Sequence, residues 1–161
     1  MTARQGTVAL VAATLMVLAL LGWLDLQLTS AVVPHGILSF EFATTHGRAV
    51  EIVAEWRRLG DAGFAAASLG VDVAFLVLYA TVLRRGCRWV GARRWAGASR
   101  GFAVAAVVAA GLDLVENLAL GALLAGAGPT WLAPAATACA TIKFVAAAAT
   151  IGFLGCGAVA R

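Results

Sequence analysis

Four stretches of nearly unbroken apolar sequence divide this chain, at residues 7–28, 62–83, 102–125 and 135–158. Each has about the 20 residues that an α-helix needs to cross roughly 30 Å of hydrocarbon. Residues that start or stop helices separate them. Gly60-Asp61 precedes the second stretch, and Asp61 is placed to cap its first turn. Gly126-Ala127-Gly128-Pro129 ends the third, and Pro134 opens the fourth. The pattern predicts an all-α fold, a four-transmembrane-helix bundle forming one domain over residues 1–161. The first stretch follows Arg4 and runs into Thr29-Ser30-Ala31, as a cleaved leader would. It is longer than a leader's apolar core and three more spans follow, so it reads as a retained helix.

The connection over residues 29–61 carries a pattern of its own. Ala49, Ile52, Val53 and Trp56 recur at i, i+3, i+4 and i+7, while Arg48, Glu51, Glu55 and Arg58 fall largely elsewhere on the wheel. That is an amphipathic helix ending at Gly60, which lies flat on a leaflet or caps the bundle. Before it, Leu38, Phe40 and Phe42 alternate with Ser39 and Glu41, a run too short to assign by periodicity.

Composition agrees with a lipid-embedded bundle: 62% of residues are hydrophobic and 12% charged, against about a quarter charged in soluble domains. Ala, Gly, Val and Leu dominate beside a single lysine, the bias of a GC-rich genome, which suggests a bacterial source. Charge also gives an orientation. Residues 84–101 carry Arg84, Arg85, Arg88, Arg93, Arg94 and Arg100, and Arg4 and Arg161 fall on the same side. On the other side Arg48, Arg57 and Arg58 are offset by Glu41, Glu51, Glu55 and Asp61. The positive-inside rule then puts both termini and the basic connection in the cytoplasm of an inner membrane, and residues 29–61 outside. The net charge of +4 comes largely from this basic connection. It suits an anionic lipid surface, with Trp89 and Trp95 as interfacial anchors, and not a nucleic acid.

The candidate chemistry is what interrupts the apolar spans. Asp72, Asp113, Glu116 and Lys143 lie eight to thirteen residues from the outer ends of three different helices, at nearly one depth. Burying a charge there costs at least a few kcal/mol, so such groups face one another or a wet cavity. Asp113, Glu116 and Asn117 share a face by their i+3 and i+4 spacing; Ser68, Asp72, Phe75 and Tyr79 form a stripe on the second helix, and Cys139, Lys143 and Thr150 one on the fourth. Fully ionised, the three acids and one lysine sum to −2, which calls for a bound proton or cation. A plain structural ion pair accounts for one acid and leaves two. Asp25 sits higher, near the outer mouth.

Other chemistries are excluded. His35 and His46 fall in the outer connection, where they read as solvated side chains, so the bundle interior offers no haem-ligating histidine. Cys87, Cys139 and Cys156 lack redox spacing, and no nucleotide-binding, serine-hydrolase or zinc-protease signature occurs. Neither a metal nor a cofactor is implied.

Phe40-Glu41-Phe42-Ala43, the amphipathic stretch to Trp56, Asp72-x-x-Phe75-x-x-x-Tyr79, Leu112-Asp113-x-x-Glu116-Asn117 and Lys143 together resemble a group of small bacterial four-helix membrane proteins of unknown function. The resemblance covers residues 38–144. It implies a four-helix fold and polar positions that belong together, without an activity. The expected function is an outward-opening intramembrane pocket for binding or acid–base conversion of a small hydrophobic ligand. A protonated Glu116 or Asp113 would be the acid, and Asp72 the base or a stabiliser of a cation. Lys143, Asn117, Tyr79, Asp25 and Glu41 would bind or orient the ligand. The alternatives are a proton- or cation-coupled transporter working as a homodimer, and a structural accessory subunit.

Overall fold

The computed structural model describes residues 3–92 and 95–159 and is all-helical, with no strand among the described residues. Six helices follow in order: α1 (Ala3–Gln27), α2 (Gly36–Glu41), α3 (His46–Leu59), α4 (Ala62–Gly91), α5 (Ala96–Leu124) and α6 (Leu132–Val159). Four of them, α1, α4, α5 and α6, are long and apolar enough to cross a membrane. Each apolar span lies within a longer helix to within one residue. The basic stretch is helical for most of its length, because α4 runs on through Arg84, Arg85 and Arg88 to Gly91 and α5 starts at Ala96. Arg93, Arg94 and Arg161 lie outside the described residues.

The long helices meet through small side chains. The buried stripe of α5 is Ala106, Ala109, Ala110, Asp113, Glu116, Asn117, Leu120 and Leu123, spaced by three and four residues. That of α6 is Ala133, Ala136, Ala140, Lys143 and Thr150. Alanine faces let two backbones approach closely, so α5 packs between α4 and α6 along their length. Large side chains turn outward instead: Met16, Leu118 and Val145 are 72%, 68% and 65% exposed, as a helix solvated by lipid requires. Toward the basic end α4 and α6 also touch, with Gly86 against Leu154 and Gly157 against Val90; a Cβ on Gly157 would stand 2.6 Å from the valine. α1 packs on α4 and forms no extended contact with α6.

The opposite end of the bundle is closed by α2 and α3. The α3 stripe Ala49, Ile52, Val53 and Trp56 is buried against Leu28 just past α1 and residues of α2, α4, α5 and α6, so α3 caps the bundle with protein covering its apolar side. Its ends are set locally. Thr45 accepts from the Arg48 N–H at 3.2 Å, and Gly60 at φ 87° lets the Asp61 N–H return to the Trp56 carbonyl at 2.8 Å. Asp61 does precede α4, but its side chain makes no capping bond; its backbone carbonyl accepts from Phe64. Side chains then tie α3 to the helix ends around it. Trp56 Nε1 donates to the Leu28 carbonyl at 2.9 Å and Arg57 to the Leu124 carbonyl at 2.7 Å.

The run around Phe40 is the short helix α2, not a strand. Phe40 is buried edge-on against Trp56, at 5.3 Å between ring centroids, while Leu38 and Phe42 project the other way. Gly36 starts α2 with φ 49° and lies so close to the Asp25 carboxylate that no side chain fits there.

Trp56 is fully buried, so Trp56→Ala should cost about 3–5 kcal/mol through the cavity it leaves. Trp56→Phe keeps most of the packing but orphans the Leu28 carbonyl, and should cost about 1–3 kcal/mol. Reversible unfolding in mixed micelles, read by helicity, measures both; a Trp56→Phe variant as stable as the wild type would deny the hydrogen bond a role.

Candidate functional site

Lys143 is the next member of the α6 stripe after Ala133, Ala136 and Ala140, which points its side chain inward at the level of the α5 acids. Its Nζ lies 2.6 Å from Asp113 Oδ1, 2.9 Å from Glu116 Oε2 and 3.6 Å from Glu41 Oε2. Asp72 is held separately, accepting from Asn117 Nδ2 at 2.6 Å. Glu41 is brought in by α2. The Asp25 carboxylate accepts the Ile37 N–H at 2.6 Å and fixes the start of that helix; Thr137 Oγ1 of α6 donates to the Glu41 carbonyl at 3.0 Å and fixes its end. The Phe42 ring stacks on Phe144, at 6.0 Å, across the same junction.

The sequence-derived candidates therefore separate into three groups. Asp113, Glu116, Lys143 and Glu41 form one contact cluster, with Asp72 and Asn117 beside it. Tyr79 stands next to Phe75, with ring centroids 5.3 Å apart, and faces the same space as Asp72 and Asp113. Asp25 is elsewhere, engaged with the backbone of α2. Of the α6 stripe expected from sequence, Lys143 and Thr150 are buried, while Cys139 turns to a separate apolar hollow between α5 and α6.

Glu41 is the member that sequence placed in an outer connection and that folds back into the bundle. Burial in this wall pushes its carboxyl up to about 7 from the ordinary 4.5, against the pull of Lys143 and with the help of Asp72 and Asp113. No periodicity marks it, because α2 is less than two turns long. The Phe–Glu–Phe triplet was the only signal. Two aromatic rings flanking a lone acid are out of place in a solvated loop.

A cavity of about 500 Å³ adjoins the cluster. Leu18 and Leu21 of α1, Leu38 and Glu41 of α2, Asp72, Phe75 and Tyr79 of α4, Asp113 of α5, and Lys143 and Ala147 of α6 line it. Its charged groups gather on one wall, and apart from Tyr79 and Thr14 of α1 the rest of the lining is apolar. Glu116 is fully buried, does not line the cavity, and stands behind Lys143. α2 lies across one end, α1 and α6 stand on either side, and the contacts of Gly86 and Gly157 close the α4–α6 seam toward the basic end. The arrangement brings proton-carrying groups into contact with an apolar space large enough for a small organic molecule. No protein-family model, curated protein or solved structure matches this chain.

Two outcomes follow from this geometry. Lys143→Met leaves four neighbouring acids without their cation and should cost several kcal/mol, as breaking buried ion pairs does. Adding Asp113→Asn to it should recover part of the loss in detergent melting experiments, and no recovery would mean that the 2.6 Å pair is not the source. The second outcome concerns pH. Between about 4.5 and about 7 folded Glu41 holds a proton that the unfolded chain has released. Its contribution to stability is therefore complete below the lower value and disappears as pH climbs through the upper one. Glu41→Gln should flatten this fall in melting temperature between about pH 5 and about pH 8; a variant with an unchanged pH profile would exclude Glu41 as its source.

Proposed function

We propose that this is a bacterial inner-membrane protein, with residues 29–61 outside and the arginine-rich end in the cytoplasm, whose cavity binds a small hydrophobic molecule and converts it by acid–base chemistry. The observation that carries the reading is the pairing of an apolar cavity of about 500 Å³ with acids on one wall only. Lipid surrounds the bundle, so the ligand enters sideways between α1 and α6, beneath α2. Asp113 and Asp72 are the acid and base, since both border the cavity. Glu116 acts through Lys143, holding the ammonium at 2.9 Å from behind and so setting its place beside Asp113. Glu41, Asp72, Asp113 and Glu116 outnumber the single ammonium. Protons or a positively charged ligand head make up the difference, and the head group that fits this wall is one that donates hydrogen bonds or carries positive charge.

A transporter or a structural subunit uses such acids differently: at a two-fold interface in the first, fully paired without a cavity in the second. A cavity within one protomer supports binding.

The experiment is organic extraction of the purified protein, followed by mass spectrometry, beside the same analysis of a deletion strain. Ala147→Phe fills the cavity without touching an acid, and should abolish retention of the bound molecule. Asp113→Asn should retain the molecule but let it accumulate unconverted in cells. A folded Asp72→Asn, Asp113→Asn double variant that restores the deletion strain fully would remove the acid–base reading. A wild-type protein that retains nothing which Ala147→Phe lacks would remove the binding reading.

A further inference from the structure

At the basic end a second cavity, of about 220 Å³, lies between α4 and α5 on the face of α4 away from the acid cluster. Thr81, Arg84, Arg85 and Arg88 line it with Ala80 and, from α5, Val107. All three arginines are exposed, so water screens their mutual repulsion, yet three guanidinium groups around one hollow concentrate positive charge where an anion gains from it. Among the described residues no acid sits there. No ion pair engages these arginines among the described residues. The nearest acid along α4 is Asp72, twelve residues or ~18 Å away on another face. Asp113 on α5 is already bound to Lys143. The C-terminal dipole of α4 accounts for Arg88, one turn from the end, but its field has faded by Arg84, two turns back.

We infer that this hollow binds the phosphate of an anionic lipid headgroup. Guanidinium forks match phosphate oxygens in a bidentate way, and basic pockets between transmembrane helices are suited to such headgroups. The surroundings favour a lipid over free phosphate. Below the arginines α4 presents Val77 and Val73, 59% and 42% exposed, one and two turns beyond Thr81. On α5, which runs the other way, Val107 is 49% exposed and Leu114, two turns farther from the basic end, is 40% exposed. Headgroup and acyl chain thus each meet matching chemistry on one continuous face. The inference rests on α4 and α5 crossing the membrane, and not on any activity in the acid-lined cavity.

The test uses the full-length protein in a neutral detergent and reads melting temperature against added phosphatidylglycerol, phosphatidylcholine or inorganic phosphate at fixed ionic strength. Phosphatidylglycerol should stabilise the protein saturably and phosphatidylcholine should not. An Arg84→Gln, Arg88→Gln variant should need roughly thirtyfold more phosphatidylglycerol, the attraction expected of two arginines. Arg4→Gln with Arg100→Gln removes the same charge from the same end but outside the hollow, and should leave the midpoint within a few-fold of wild type. Equal losses in the two double variants would reduce the effect to general surface charge and overturn the site. Inorganic phosphate reproducing the full stabilisation would overturn the lipid assignment. Should Arg84→Gln, Arg88→Gln fold poorly, Arg84→Lys with Arg88→Lys keeps the charge but loses the forks. A clear weakening there supports the site, and a wild-type midpoint overturns it.

Discussion

Everything distinctive in this molecule depends on one buried ammonium. Lys143 is 7% exposed and has three carboxyls from two other helices within 3.6 Å. An isolated lysine at that depth would be costly enough to snorkel toward a surface. Acids without it would repel one another in a medium of low dielectric. Each half of the cluster makes the other tolerable, and because the acids come from α2 and α5 while the lysine comes from α6, the pairing also fixes how these helices meet. Shape alone would specify that register poorly. Outside the cluster the facing stripes of α5 and α6 are rich in alanine, and alanine faces can slide past one another with little change in contact. The ion cluster cannot.

Depth and face were legible from sequence for the members on long helices. Asp113, Glu116 and Asn117 share a face whatever the bundle's details, and counting residues from the ends of α4, α5 and α6 puts Asp72 and Lys143 beside them. The amphipathic spacing of Ala49, Ile52, Val53 and Trp56 likewise announced α3, though not whether lipid or protein would cover its apolar side. Protein covers it, because Trp56 offers an indole N–H that finds the free carbonyl of Leu28 at the end of α1. What periodicity could not deliver was α2. Its six residues are ordered by tertiary contacts with Asp25 and Thr137, far away in sequence. The division of labour among the acids was hidden for a similar reason. Glu116 and Asp113 are neighbours on one helical face, and only the position of the cavity separates Asp113, which borders it, from Glu116, which does not.

Asp25 illustrates how an acid at the end of a long apolar helix can have work other than ligand binding. The carboxylate accepts the Ile37 N–H, one of the donors that the first turn of α2 leaves free. Gly36 makes this possible by giving up its side chain and adopting positive φ, so that the backbone can approach. The consequence reaches the cluster: the helix that Asp25 starts ends with Glu41 against Lys143.

The cavity follows from a mismatch among the four long helices. α5 and α6 present faces rich in small and polar side chains, and α4 meets them with Ala65, Ser68 and Cys87 among leucines and a valine. α1 has no such face. Leu24 and Leu28 at its end are buried, while Val8, Leu15, Met16 and Leu26 are exposed. It is therefore held where it meets α3 and along α4, and nothing draws it against α6. The gap left beside it is where the acid wall would otherwise have been covered by a fourth helix. Closing that gap would require α1 to bury a large apolar face against Asp72, Asp113 and Lys143, leaving polar groups covered by groups that cannot bond to them. The same chemistry that makes the cluster costly to bury keeps α1 from covering it, so a bundle built around this lysine retains an open wall on its polar side.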